Sequence, residues 1–144
     1  MSATFDLGLL DIDKPLYHAF ADFTGAFTDI YTFTLPTTSS NISGDTTTIN
    51  FGNLWNVSLA SATLTGTGVS AQSDLNPNDG FAFNGLVGGG TYSLAIAGTV
   101  TGTGLAGVTG IYAGYVSAVP EPETLGLALM GLLGTGLALR RRNA

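Results

Sequence analysis

The chain has 144 residues, of which 44% are hydrophobic and only 10% are charged, with one histidine and no cysteine. Residues 1–119 hold eight Asp and one Lys (charge −7), and residues 120–144 hold two Glu and three Arg (charge +1). Because a body with a single Lys cannot neutralise several phosphates, we expect no nucleic-acid partner. Without Cys, and with one His, thiolate and multi-histidine metal sites are excluded within one chain. We expect no cofactor and assign no metal site.

The N-terminal segment lacks the usual form of an export signal. A secretory signal starts with basic residues and continues as an apolar run, whereas Asp6 and Asp11 interrupt the early apolar residues here. We therefore expect that the natural start precedes Met1 and that the signal peptide is missing from this chain. Asp11 and Asp13 could serve as a glycosidase carboxylate pair only in a cleft that raises one pKa, and such neighbours are more often solvated.

The first 118 residues have the composition of a β-domain. They are rich in Thr, Ser, Gly and aromatic residues, and they contain no long stretch of helical periodicity. Aromatic and polar side chains alternate over residues 27–35, which predicts a strand with one buried face. The spacing of these segments predicts a small antiparallel β-sandwich. Further strands are predicted at 16–23, 54–65, 91–101 and 107–116, with a turn or loop at 36–41.

Two polar side chains of this body could carry chemistry. Asp29 shares the aromatic face of its strand, so it is most simply a structural acceptor for a backbone N–H or a neighbouring hydroxyl, with ligand or ion binding as the alternative. His18 could form a catalytic triad with Asp22 and a serine. The chain has no Gly-x-Ser-x-Gly nucleophile elbow, and we predict that the body is not an enzyme.

An acidic loop can be tested against calcium-binding loops. Asp74, Asn76 and Asn78 place oxygens at the first three ligand positions of an EF-hand. However, Asp79 stands at the glycine position and Gly85 at that of the final Glu, so an EF-hand is refuted. The composition favours a turn that joins two strands, and a loose Ca²⁺ loop is the alternative.

After Val119 the composition changes abruptly to Pro-Glu-Pro-Glu-Thr, which stops a strand and favours an extended segment. A run of 15 uncharged, mostly apolar residues follows at Leu125–Leu139, and a cluster of three arginines comes directly after it: Arg140, Arg141 and Arg142. As a helix the run is about 22 Å long, shorter than a bilayer core of about 30 Å. It predicts one short transmembrane helix with a cytoplasmic C-terminus. Its leucines are Leu125, Leu127, Leu129, Leu132, Leu133, Leu137 and Leu139.

This order of segments resembles the PEP-CTERM sorting signal, and the match covers residues 119–142. The resemblance implies that Pro120, Glu121 and Pro122 are the recognition element. It implies that the apolar run holds the protein in the membrane and that the arginine cluster sets its topology. It also implies export by a Gram-negative, exopolysaccharide-producing bacterium and processing by an exosortase, a membrane-embedded cysteine protease.

A second resemblance rests on Phe27, Asp29 and Tyr31. Together with the strand that carries Trp55, the glycine-rich strand of Tyr92 and the strand of Tyr112 and Tyr115, they resemble a subgroup of PEP-CTERM proteins that has an F-x-D-x-F signature. Tyr31 stands where that signature has its second Phe. This subgroup implies no enzyme activity.

The resemblance therefore implies a β-body at residues 1–118 and a sorting signal at 119–144. We expect an exported, non-enzymatic protein that is anchored in the inner membrane, then processed and moved to the cell surface, where it associates with exopolysaccharide in a biofilm. The alternative is a carbohydrate- or Ca²⁺-binding module. That alternative predicts coplanar exposed rings in a groove, from Trp55, Tyr112 and Tyr115.

Overall fold

The computed structural model describes residues 2–10, 13–66 and 68–120. Most of them lie in strands, which confirms the prediction of a mainly β body. Within these ranges the helical content is one 3₁₀ turn at Pro77–Asp79. The strands are β1 Ser2–Leu9, β2 Lys14–Ala21, β3 Gly25–Thr34, β4 Ser39–Ile49, β5 Val57–Gly66, β6 Val69–Asp74, β7 Phe81–Phe83, β8 Thr91–Val100 and β9 Val108–Pro120.

The strands form two sheets that enclose one core. Sheet A has the order β1-β3-β8-β5-β6, and sheet B has the order β2-β9-β4-β7. Buried apolar side chains of both sheets belong to a single cluster, in which the Phe27 ring of sheet A lies 5.7 Å from the Tyr112 ring of sheet B. The two-layer β architecture predicted from the strand spacing is therefore present.

One strand pair departs from the predicted antiparallel arrangement. β1 runs parallel to β3, with Ser2 opposite Thr28 and Leu9 opposite Thr34. The chain leaves sheet A after β1, forms β2 in sheet B, and returns to sheet A as β3, so β2 supplies the crossover that parallel neighbours need. The antiparallel prediction is wrong at this edge, because the sequence pattern indicates no strand in the first ten residues.

β3 has the two-sided pattern that its alternation predicts. From Phe27 onward its odd-numbered residues are buried and the even-numbered ones are partly exposed. Phe27 lies opposite Gly98 of β8. A Cβ at Gly98 would collide with the Ser58 carbonyl oxygen of β5 and would lie 3.0 Å from the Phe27 ring. The missing side chain therefore lets β5 approach closely and leaves space for the aromatic ring.

The apolar side chains of β5 stay on one side of the strand although the alternation in its sequence shifts by one residue. Its buried residues are Val57 and Leu59, then Ala62 and Leu64, so the alternation changes phase in the middle. The pairing register with β8 shifts between Leu59 and Ser61. A β-bulge adds one residue to a strand and restores the facing of the side chains that follow. The strand begins at Val57, three residues later than predicted.

β4 lies in the interior of sheet B, yet its sequence indicates only a turn at its start. Its inward side chains are mostly small or polar, so they produce no apolar alternation. Thr46 Oγ1 donates to the Pro77 carbonyl oxygen over 2.9 Å. A Cβ on Gly44 would lie 2.5 Å from the Phe81 ring, so that ring fills the space above the glycine. β6 has few apolar residues and β7 has only three residues, so neither strand is predicted from the sequence.

The close approach at Gly98 gives a test of this packing. We expect Gly98→Ala to lower the free energy of unfolding by about 2 kcal/mol, because the added methyl collides with a backbone oxygen that cannot move aside. Urea unfolding monitored by circular dichroism measures the change. Ala95→Ser, on the outer side of the same strand, is the matched control and should stay within about 0.5 kcal/mol. Equal stability of the two variants would contradict the packing described here.

Candidate functional site

Four polar side chains meet between the two sheets, and we call them the interior polar cluster: His18, Asp29, Tyr31 and Tyr112. Asp29 and Tyr31 point inward from β3 of sheet A. His18 on β2 and Tyr112 on β9 are register partners in sheet B. Asp29, Tyr31 and Tyr112 are almost completely buried, and the His18 side chain is 13% exposed. The cluster therefore connects the sheets through polar contacts inside an otherwise apolar core.

Two hydrogen bonds of the cluster meet at one carboxylate oxygen. The Tyr112 hydroxyl donates to Asp29 Oδ2 over 2.6 Å, and His18 Nδ1 lies 2.6 Å from the same oxygen. Because Tyr112 has one hydroxyl hydrogen and gives it to Asp29, Tyr31 is the donor in the 2.7 Å contact between the two tyrosine hydroxyls. Asp29 Oδ1 is buried and has no hydrogen-bond donor among the described residues. The carboxylate is thus held from one side, by sheet B.

Aromatic rings surround the cluster on several sides. The Phe20 ring stacks on the His18 imidazole at 3.9 Å, and the Phe5 ring meets it edge-on at 5.9 Å. Phe5 also stacks on Tyr31, with 4.9 Å between ring centroids. These apolar rings keep water away from the hydrogen bonds, which strengthens them and raises the cost of leaving any group unpaired.

Burial controls the acidity of the two tyrosines. It raises the pKa of Tyr31 to about 12, and the nearby charge of Asp29 acts in the same direction. Burial also raises the pKa of Tyr112 far above its ordinary range, and the hydrogen bond that it donates to Asp29 adds to the effect. Both hydroxyls therefore remain protonated donors at physiological pH.

The geometry confirms Asp29 as a structural acceptor of a neighbouring hydroxyl, and it corrects the partner proposed for His18. The carboxylate that contacts His18 is Asp29, eleven residues away in the other layer, whereas Asp22 is exposed. Within the described part of the chain, no serine hydroxyl is hydrogen-bonded to His18. Sequence reasoning missed this pair because the two residues lie on strands that do not pair with each other.

The predicted exposed aromatic groove does not form. Tyr112 is completely buried in the interior polar cluster, so it cannot stack on a ligand. Trp55 is partly buried, its Nε1 donates to the Leu105 carbonyl oxygen over 3.3 Å, and its ring lies 6.2 Å from that of Phe51. Tyr115 is exposed on the outer side of sheet B. The prediction is wrong for Tyr112 because the even-numbered residues of β9 face the core.

The acidic loop forms the predicted turn between two strands. The Asn76 N–H donates to Asp74 Oδ1 over 2.8 Å, and Asn76 Nδ2 donates to Asp79 Oδ2 over 2.6 Å, so the carboxylates serve the turn itself. Among the residues that the structure describes, no group of three His, Asp or Glu side chains could hold a metal ion. Of the N-terminal pair, Asp13 accepts a hydrogen bond from Ser117, and Asp11 lies outside the described residues.

β9 leads directly into the C-terminal segment. It ends at Pro120, and its last residues pair with β4, with Val119 opposite Asn41 and Pro120 opposite Ser39. Within the described ranges, no helix has the length and apolarity to cross a membrane. The other predicted parts of the sorting signal lie outside the described residues: Glu121, Pro122, the transmembrane helix at Leu125–Leu139, and the topology signal of Arg140, Arg141 and Arg142.

The C-terminal residues match a known family model. The model describes a PEP-CTERM protein-sorting motif, and residues 118–142 match it. The chain carries a PEP-CTERM sorting motif. Such a motif implies a protein that is exported, held in a membrane and processed by an exosortase before it reaches the surface. The F-x-D-x-F subgroup remains a prediction, although the structure places Phe27, Asp29 and Tyr31 together in the core.

The body is distantly similar in shape to three solved structures of PliG, a periplasmic inhibitor of g-type lysozyme. The protein from Aeromonas hydrophila is 11% identical, with a TM-score of 0.48 over 83% of this chain and 100% of the other. That from Salmonella Typhimurium is 13% identical, with a TM-score of 0.42 over 80% and 99%. A mutant from Escherichia coli is 12% identical, with a TM-score of 0.40 over 80% and 99%. No curated protein matches this chain in sequence.

The interior polar cluster gives a test of stability. We expect His18→Leu to lower the free energy of unfolding by about 3 kcal/mol, because it leaves a buried carboxylate without one of its two hydrogen-bond partners. The double variant His18→Leu/Asp29→Leu should be more stable than His18→Leu alone, since it also removes the buried carboxylate that has lost a partner. Chemical denaturation of the three proteins measures both effects.

Two Asp-to-Asn variants, one at a buried site and one at an exposed site, separate the effect of burial from that of charge. Asp29→Asn should destabilise the fold by about 2 kcal/mol, whereas Asp22→Asn, the same change at an exposed site, should stay within about 0.5 kcal/mol. A double variant that is less stable than His18→Leu alone would show that the polar contacts are not the main contribution of these residues.

The raised tyrosine pKa predicts loss of stability in alkali. Because the folded-state pKa of Tyr31 is about 12 and an unfolded tyrosine titrates near 10, the stabilising contribution is complete below about pH 10 and falls as the pH rises towards 12. Urea midpoints at about pH 8 and about pH 11 should therefore differ more in the wild type than in Tyr31→Phe/Tyr112→Phe. An identical decline in both proteins would assign alkaline unfolding to other groups.

Proposed function

We propose that this chain is an exported, non-enzymatic surface protein whose C-terminal segment anchors it in the inner membrane until an exosortase processes it. The match of residues 118–142 to the PEP-CTERM motif carries the proposal. After processing, the β-body is released or transferred to the cell surface, where it associates with exopolysaccharide in a biofilm. The charge of −7 on residues 1–119 supports a soluble, hydrated body.

The course of β9 supports the anchoring step. Only residues 121–124 separate Pro120 from Leu125, the first residue of the apolar run. Five steps of about 3.8 Å limit the distance between these two Cα atoms to about 19 Å. A body that is anchored by the apolar run therefore lies against the membrane surface, and the recognition element lies between the two.

The non-enzymatic role is supported by the use of the titratable groups. His18 is the sole histidine of the chain, and its Nδ1 is engaged by Asp29 while Phe20 covers one ring face. A general base must reach a proton of the substrate, and these groups are engaged inside the core. The acidic turn likewise uses its carboxylates on its own backbone and side chains.

The experiment follows the mature C-terminus in the native host. In the wild type we expect intact-mass spectrometry to show loss of the C-terminal segment and the body to leave the inner-membrane fraction. Glu121→Ala/Pro122→Ala should keep the whole C-terminus and stay in the membrane, because the recognition element is altered while the sequence of β1 to β9 is unchanged. Glu123→Ala, next to that element, is the control and should be processed.

Deletion of the host exosortase should reproduce the behaviour of Glu121→Ala/Pro122→Ala. A wild-type protein that keeps its C-terminal segment would contradict the proposal. So would equal processing of the altered motif and its control.

A further inference from the structure

A shallow depression of about 210 Å³ lies on the outer face of sheet B, between β4 and β9. We call it the outer depression. Its floor is formed by Ala113 and Gly114 of β9, and its walls include Tyr115 and, on β4, Asp45 and Thr47. It lies on the opposite side of the sheet from Tyr112, so it is separate from the interior polar cluster.

The pairing register explains why the depression forms. On the outward side of β9, Ala113 has Tyr17 of β2 opposite it on one side and Thr47 of β4 on the other. The next outward residue, Tyr115, has Asp45 opposite it. Outward rows lie about 7 Å apart and strands about 4.8 Å apart, so a small residue beside Tyr17 and Tyr115 leaves a depression at its own position.

The large exposed side chains are unevenly distributed between the two outer faces. Tyr17 and Tyr115 are 54% and 44% exposed, and they are diagonal neighbours on sheet B. The outward positions of β3, β5 and β8 in sheet A carry no exposed large apolar side chain. Exposed aromatic rings cost solvation free energy and tend to mark binding surfaces. The outer face of sheet B is therefore the candidate binding face.

The polar groups of the outer depression define the ligand chemistry. The Thr46 N–H donates to Asp45 Oδ1 over 2.8 Å, which fixes one oxygen of this exposed carboxylate. Thr47 supplies a hydroxyl beside it. Among the residues that the structure describes, the lining contains no Lys or Arg, and the body is acidic, so an anionic ligand would be repelled. A neutral ligand with hydroxyl donors and an apolar face satisfies both the aromatic wall and the carboxylate.

We propose that the outer depression binds one neutral sugar ring of a glycan chain. The C–H face of the sugar stacks on Tyr115, while Asp45 accepts from a sugar hydroxyl and Thr47 exchanges a hydrogen bond with another. Tyr17, on the far side of Ala113, contacts the neighbouring ring of the chain. This binding is a property of the folded body and does not depend on processing by an exosortase.

The test uses the full chain, purified in a detergent without a sugar headgroup. The probes are cellohexaose, laminarihexaose, chitohexaose and maltohexaose, with polygalacturonate as an anionic comparison, and calorimetry measures the affinities. At least one neutral oligosaccharide should bind. Tyr115→Ala should weaken that affinity by about tenfold or more, whereas Tyr115→Phe, which keeps the ring, should bind within about threefold of the wild type.

A second variant fills the site without removing a contact. Ala113→Leu should abolish binding, because its side chain occupies the floor of the depression. Phe51→Ala is the matched control, since it removes an exposed ring outside the depression, and its binding should be unchanged. Thermal unfolding checks that each variant is folded. If Ala113→Leu does not fold, the comparison of Tyr115→Ala with Tyr115→Phe still decides.

Three results would overturn the proposal. They are absence of binding to every neutral oligosaccharide, unchanged affinity in Tyr115→Ala, and preference for polygalacturonate. Sedimentation velocity adds a fourth: a self-associated species that Ala113→Leu dissociates, without glycan binding, would assign this face to a second copy of the chain. This proposal deepens the exopolysaccharide association in the function proposed above. A working sorting signal together with no glycan binding would therefore remove that association and leave export, anchoring and processing standing.

Discussion

The burial of one carboxylate between two sheets is the constraint on which the arrangement of the body depends. Asp29 is completely buried on β3, so its charge needs donors from the opposite layer. They come from His18 and Tyr112, which are opposite each other on β2 and β9. Because side chains alternate with a period of two, a slip of one residue in either strand would turn its donor away from the carboxylate. The polar contacts therefore fix the register of sheet B and its placement over sheet A.

Apolar packing drives the folding of this body, but it leaves room for alternatives that the polar contacts exclude. Burial of side chains such as Leu94 and Ile96 is favourable in any arrangement that removes them from water. A hydrogen bond requires a particular donor at a particular place. The single histidine is therefore used to specify the fold.

The two outer faces carry different side chains. The outward positions of β3, β5 and β8 in sheet A show mostly small and hydroxyl side chains to solvent, while sheet B shows Tyr17, Tyr115 and the carboxylate of Asp45. β9 joins these features, because its inner side holds Tyr112, its outer side forms the floor of the depression, and its last residue is the first of the Pro-Glu-Pro element. One strand thus connects the core, the candidate binding face and the sorting motif.

The features that the sequence by itself determined are those that depend on residues close together along the chain. The sorting motif is a contiguous order of segments, the alternation from Phe27 to Leu35 is a local strand pattern, and the acidic turn follows from its own Asn, Pro and Asp residues. The mainly β class follows from the same local signals.

Only the tertiary structure decided what depends on strand pairing over long distances. The contact between His18 and Asp29, the burial of Tyr112, the parallel position of β1 and the depression around Ala113 all require knowledge of which strands are neighbours and which layers face each other. β4 was not predicted for the same reason. Its inward residues Gly44 and Thr46 contact Phe81 and Pro77, which come from distant parts of the chain. Local patterns fix which side of a strand is apolar, whereas the partner across the core is chosen by packing of the whole chain.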